Sequence, residues 1–135
     1  MDNKNIEELL EKTKYVVLAT SNKDGVVSAS QMCLVNDGLK VYFQTDINFE
    51  KVKNIKDNPN VAINVGAFYF KGIANIKGHP TNNPVFIEKI KEKHPRTYKE
   101  YTNLKNEVLI EVELSECRIW GLNNKKTVEI MKIKE

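Results

Sequence analysis

The chain has 135 residues, 41% hydrophobic and 29% charged, with a formal net charge of +3. This balance fits one globular domain spanning residues 1–135. It argues against the dense basic patch of a nucleic-acid surface, and no uncharged apolar run approaches the ~20 residues that a membrane span needs.

The stretch NIEELLEKT, residues 5–13, carries Ile6, Leu9, Leu10 and Thr13 on one face, with Asn5 and Glu8 as a capping pair, and predicts a helix. Tyr15–Ser21 is apolar and β-branched, a strand ended by the turn sequence NKDG. Residues 26–35 and 39–45 predict two more strands, joined by the tight turn NDG. Residues 48–58 read as a helix with Phe49, Val52 and Ile55 on one stripe, stopped at Asn58-Pro59.

Residues 60–70 and 71–78 predict two strands, with Gly66 and Gly72 marking a bulge or a close backbone approach. A helix follows from Pro84 to about Lys93, and residues 96–103 add a short helical piece. Residues 107–114 alternate apolar and charged side chains as a half-buried antiparallel strand does. Residues 116–122 and 127–134 supply one or two further strands. Many short strands in one small domain predict a barrel or a sandwich, mainly β with a few helices (α+β). The first three strands lie too close together for the helical crossovers of a parallel sheet.

The strand-to-helix joint VYFQTDINFEK, residues 41–51, is chemically the most informative. Lys51 stands in the first helical turn, an end that already carries partial positive charge. An anion would make that placement favourable. With Asn48 as the cap, the amides of residues 49–51, the Thr45 hydroxyl and the Lys51 ammonium would converge on a phosphate. The alternative is that Lys51 points into water. His79 and His94 each precede a proline and neither has a cluster of ligating residues beside it, so no metal is expected. The sequence GHPTNN nevertheless stands where it could border a cleft. Cys33 and Cys117 form no Cys-x-x-Cys pair and read as small apolar groups with free thiols. MDNKNIEELLEK lacks the apolar stretch of a secretory signal, so the cytoplasm is the expected location. Dinucleotide, P-loop and serine-hydrolase fingerprints are absent from the sequence.

The ordered residues Leu18-Ala19-Thr20, Asp24-Gly25, Tyr42-Phe43, Thr45, Lys51-Val52, Asn58-Pro59, Val61-Ala62, Gly72, Ala74 and Trp120-Gly121 resemble the pyridoxamine 5'-phosphate oxidase-like family. That resemblance implies an antiparallel six-stranded split β-barrel that binds FMN, assembled as a homodimer with the cofactor at the interface. It implies flavin contacts from Gln31, Met32 and Cys33, a phosphate seat at Gln44, Thr45 and Lys51, and a contact from the partner subunit through Trp120. The chain departs from the family pattern at three places around that seat. Gln31 stands where an arginine is usual, Phe49 where serine is frequent, and Glu50 where an arginine commonly precedes the lysine. An Arg-x-His pair used for the phosphorylated substrate is replaced by Lys126 and Val128, so oxidation of pyridoxamine phosphate is not expected.

The expected function is a flavin-dependent oxidoreductase acting on a small molecule. Its hydride or electron chemistry would belong to the cofactor, so no catalytic side chain is singled out. A non-catalytic protein that stores or senses flavin or haem is the alternative, with His79 or His94 as the iron ligand in the haem case. A nucleic-acid-binding barrel is the weakest reading, and neither a nucleic-acid partner nor a membrane is expected.

Overall fold

A single curled antiparallel sheet organises the chain. The computed structural model describes residues 2–133. Among them are strands β1 (Tyr15–Ser21), β2 (Val27–Cys33), β3 (Val35–Asp37), β4 (Lys40–Asp46), β5 (Asn60–Val65), β6 (Phe68–Ile76), β7 (Glu107–Trp120) and β8 (Val128–Lys132). The helices are α1 (Asn3–Lys12), α2 (Glu50–Asp57), α3 (Pro84–Lys93) and the short α4 (Pro95–Thr97), which widens into π geometry over Tyr98–Thr102. Lys134, the last residue of the expected C-terminal strand, lies outside the described residues.

The sheet runs β2-β1-β5-β6-β7-β4-β3, with β8 also paired to β7. Strands β2 and β3 are therefore at opposite ends of the path, yet only Leu34 separates them in the chain. Six interstrand steps of ~4.8 Å would put flat-sheet edges about 29 Å apart, whereas one residue spans at most ~3.6 Å. The sheet must curl until its edges meet. This is the split barrel that the resemblance implied, built here from eight strands rather than six. Its interior holds Leu18, Phe43, Ile63, Phe70, Ile110 and Val112, all essentially inaccessible, with Ile6 and Leu10 of α1 and Ile55 of α2 packed onto the same core. A second cluster, Tyr42, Phe86, Ile90, Leu109 and Val35, seats α3 against the outside of β3, β4 and β7.

Several boundaries differ from the sequence reading. Helix α1 starts earlier because Asp2, not Asn5, is its cap. The Asp2 carboxylate accepts the Asn5 amide, and the Asn5 side chain accepts the Asp2 amide, both at 3.0 Å. The expected strands 60–70 and 71–78 divide instead at Gly66, which adopts φ +56° in the turn before a continuous β6. Gly72 lies inside β6, where the pairing to β7 shifts register. A Cβ there would sit 2.7 Å from the Glu113 carbonyl oxygen and 2.7 Å from Val112 Cγ1, which is the close approach its sequence position suggested. The expected strands 107–114 and 116–122 merge into the 14-residue β7, whose first half pairs with β4 and whose second half pairs with β8. Phe70 is a core residue and does not line a cleft, while Tyr69 lies under the Arg118 guanidinium, 6.0 Å from the ring centre. Among the described residues no helix is long and apolar enough to cross a membrane.

Candidate cofactor site

Where the two sheet edges approach each other they leave a cleft of about 410 Å³. Strand β2 contributes Gln31, Met32 and Cys33, and β4 contributes Gln44, Thr45 and Asp46. Phe49 and Lys51 enter from the start of α2. Thr97, Tyr101, Leu104 and Glu107 complete the lining. Six of the seven residues that the sequence singled out thus meet in one place, though they come from three separate segments. The seventh, Trp120, is 53% exposed at the end of β7 and does not line the cleft. Lys126 and Val128 are also exposed and lie off it.

The joint between β4 and α2 is built differently from expectation. Phe49, not Asn48, occupies the cap position, and it offers no side-chain hydrogen bond. Asn48 instead donates its amide to Asp46 Oδ1 at 2.8 Å, a turn that redirects the chain out of β4. The first amide to turn back into the helix is that of Val52, on the Phe49 carbonyl at 3.1 Å. The N–H groups of Glu50 and Lys51 therefore stand free of helical partners.

Lys51 is half-buried, with its ammonium 5.1 Å from the Phe49 ring centre and no ion pair among the described residues. Burial pulls its pKa down, the signature of a cation held without a counter-charge. Thr45 is buried, and its hydroxyl makes no hydrogen bond among the described residues. No fully enclosed polar side-chain atom there lacks a partner, so that hydroxyl is left open at the cleft. Glu50, whose charge would oppose a phosphate, is exposed and outside the lining.

Beside Thr45 a hydrogen-bond chain fixes two polar side chains. The fully buried Thr102 hydroxyl donates to Gln44 Oε1 at 2.7 Å, and Gln44 Nε2 donates to Glu107 Oε1 at 2.7 Å. Burial raises the Glu107 pKa, with the Asp46 charge adding to the rise and the Gln44 bond and His79 opposing it. Cys33 Sγ lies 3.5 Å from the Thr97 hydroxyl. Nothing local in the sequence marks Thr97, Tyr101, Leu104 and Glu107. Glu107 reaches the cleft because β7 returns beside β4, pairing Asp46 with Glu107, and the other three lie on the segment that leads into β7.

The histidines are engaged elsewhere. His94 is buried and its Nε2–H donates to the Leu34 carbonyl at 2.9 Å. His79 caps the short turn Pro80–Asn82 through Nδ1 and donates from Nε2 to the Leu104 carbonyl at 2.8 Å. Neither lines the cleft, and among the described residues no group of three His, Cys, Asp or Glu could hold a metal ion. A second cleft of about 460 Å³ between α1, β3 and α3 contains none of the residues predicted from sequence.

The fold and sequence have relatives. The structure resembles ChuZ of Campylobacter jejuni, with a TM-score of 0.77 and 17% identity over 96% of this chain. The match covers 58% of ChuZ, so this chain spans less than two thirds of that protein. The haem storage protein HutZ of Vibrio cholerae matches with a TM-score of 0.69 and 14% identity, covering 94% of this chain and 92% of HutZ. An F420 reductase matches with a TM-score of 0.63 and 25% identity, over 82% of this chain and 94% of the reductase. None of the curated proteins matches the chain. The sequence model for pyridoxamine 5'-phosphate oxidase matches residues 3–121, most of the length. With that match, and with the split barrel beneath it, the chain belongs to the pyridoxamine 5'-phosphate oxidase family.

Proposed function

We propose that this protein binds FMN in the cleft between β2 and β4 and acts as a flavin-dependent oxidoreductase on a small molecule. The observation that carries the reading is the half-buried Lys51, unpaired among the described residues and set beside the open Thr45 hydroxyl and the free amides at the start of α2. Such a group of donors suits a phosphate. The cleft volume is in the range of small-molecule sites. Gln31, Met32 and Cys33 would line the remainder of the cofactor, with Gln44 beside Thr45 at the phosphate seat. The flavin supplies the redox chemistry when bound, and these residues orient it. Because Lys126 and Val128 replace the Arg-x-His pair that the family uses for its phosphorylated substrate, pyridoxamine phosphate is not the proposed substrate.

The cofactor would sit between two copies of the chain, and Trp120 would approach it from the partner subunit. An exposed apolar sheet face supports this arrangement. Tyr15 and Val17 of β1 are 52% and 39% exposed. They pair across to Cys33 and Gln31, so this face adjoins the cleft wall. The test is titration with FMN, read by flavin fluorescence and the visible spectrum, with molar mass measured in parallel. Saturable micromolar binding by a dimer is expected. An absence of binding at micromolar FMN would sink the cofactor assignment, and a monomeric complex would sink the shared site.

A second reading, a haem store, has the similarity to HutZ in its favour. The engagement of His79 and His94 away from the cleft favours flavin over a histidine-ligated haem. A Soret band on adding haemin, lost on replacing either histidine by alanine, would reverse that preference.

A further inference from the structure

The same cleft carries a feature that a phosphate seat does not explain. A carboxylate near a bound phosphate costs affinity, yet Glu107 lines the same cleft as Lys51 and Thr45. It is also held in one orientation. Thr102, with no solvent exposure, donates to Gln44 Oε1, which commits the Gln44 Nε2 side to Glu107 Oε1. Glu107 Oε2 has no hydrogen-bond partner among the described residues and is not sealed from solvent. The other carboxylate in the lining, Asp46, accepts the Asn48 amide through Oδ1 but is held by no buried side-chain network among the described residues. An oriented acceptor with a free oxygen is therefore presented to whatever fills the cleft.

We infer that Glu107 is a specificity residue that accepts a hydrogen bond from an N–H or O–H donor on the ligand, so that the cleft takes molecules that carry such a donor as well as an anionic group. The inference rests on the flavin reading above and adds one contact to it: the phosphate meets Lys51, and a donor group of the ring or ribityl chain meets Glu107. Gln44 is a positioning residue in this scheme, because Thr102 prevents its amide from turning its oxygen toward Glu107. The raised pKa of Glu107 accords with a carboxyl drawn out of water that lacks a full set of donors.

The lock makes Glu107→Gln a sharp test. The new amide must present its oxygen to Gln44 Nε2, which leaves its NH₂ facing the ligand's donor. Dissociation constants for FMN and for riboflavin, which lacks the phosphate, are measured by fluorescence titration on the parent and on Glu107→Gln. The expected result is a loss of roughly tenfold or more for riboflavin, the scale of a hydrogen bond to a charged group, and an equal or smaller loss for FMN, whose phosphate the removed charge had repelled. If FMN binding tightens while riboflavin binding is unchanged, Glu107 acts only by repelling phosphate and the inference is overturned. Unchanged constants for both flavins also overturn it. A parent protein that binds neither flavin removes the cofactor reading and this one together, whereas a parent that binds while the variant behaves like it removes only this one. If circular dichroism shows that Glu107→Gln does not fold, Glu107→Asp carries the same comparison, since shortening the side chain withdraws the acceptor without adding a donor.

Discussion

Replacing Gly72 by alanine tests the closure of the barrel. The added methyl would meet the Glu113 carbonyl oxygen and Val112 Cγ1, each at 2.7 Å. Ordinary carbon contacts begin near ~3.5 Å, so the strands must part by most of an ångström or the neighbours must move. Val112 is fully buried and cannot swing into open space. Glu113 is placed by the pairing of β7 with both β6 and β4, so its carbonyl cannot retreat without disturbing a ladder. Overpacking of this kind costs about 1–3 kcal/mol. With an unfolding entropy of ~2.1 cal/mol/K per residue, each kcal/mol lowers the midpoint by about 3–4 °C for a chain of this length, which gives a drop of about 4–10 °C. Thermal denaturation followed by far-ultraviolet circular dichroism measures it. A midpoint within a degree of the parent would refute the reasoning, because it would mean that β6 and β7 yield at this point at no cost.

Lys51→Ala should weaken FMN binding by roughly ten- to a hundredfold, the range of a charge-assisted hydrogen bond, while riboflavin binding stays near the parent value; equal losses for the two flavins would remove Lys51 from the phosphate seat. His94 is held below its ordinary pKa, first by burial, with Lys93 and Lys14 adding to the effect and the bond to Leu34 opposing it. As pH falls below about 6.5 the unfolded chain takes up a proton before the folded one does, so stability is full above that value and declines toward the folded pKa. Urea midpoints between pH 8 and 5 should show this decline, and a His94→Gln variant with the same decline would show that another group causes it. The Cys117 thiol is buried and pushed up to about 11, so a thiol reagent should modify Cys33 in the native protein and reach Cys117 only on unfolding. Native labelling of both would contradict the burial.

The sequence carried most of the local structure and little of the assembly. β1 was legible because its apolar run ends at a turn with Asn, Asp and Gly, and α3 because Pro84 starts it and a second proline stops it. The start of β6 is not legible because glycine has two uses that look alike in a sequence. Gly66 makes the turn by adopting positive φ, and Gly72 admits a close neighbour without ending the strand. The helix cap at Phe49 was unreadable because the polar residue before it, Asn48, is used by a turn on Asp46. Within the cleft, the residues contiguous with the 41–51 joint and with β2 could be named in advance. Thr102 and Glu107 could not, since what places them is a strand pairing and not a motif.

The single-residue link at Leu34 also bears on the order in which the molecule is made. The hairpins β1–β2 and β3–β4 close across a few residues, whereas Gln44 and Glu107 meet across 63. Contacts between distant residues form at the greater entropic cost and set the folding rate. The cleft needs both kinds, so it is completed only when the long-range seam closes, and a partly folded chain has no receptor to offer. A ligand seated there binds the native state alone and, at a hundred times its dissociation constant, adds about 2.7 kcal/mol to stability. Its residence would then keep the seam itself from reopening.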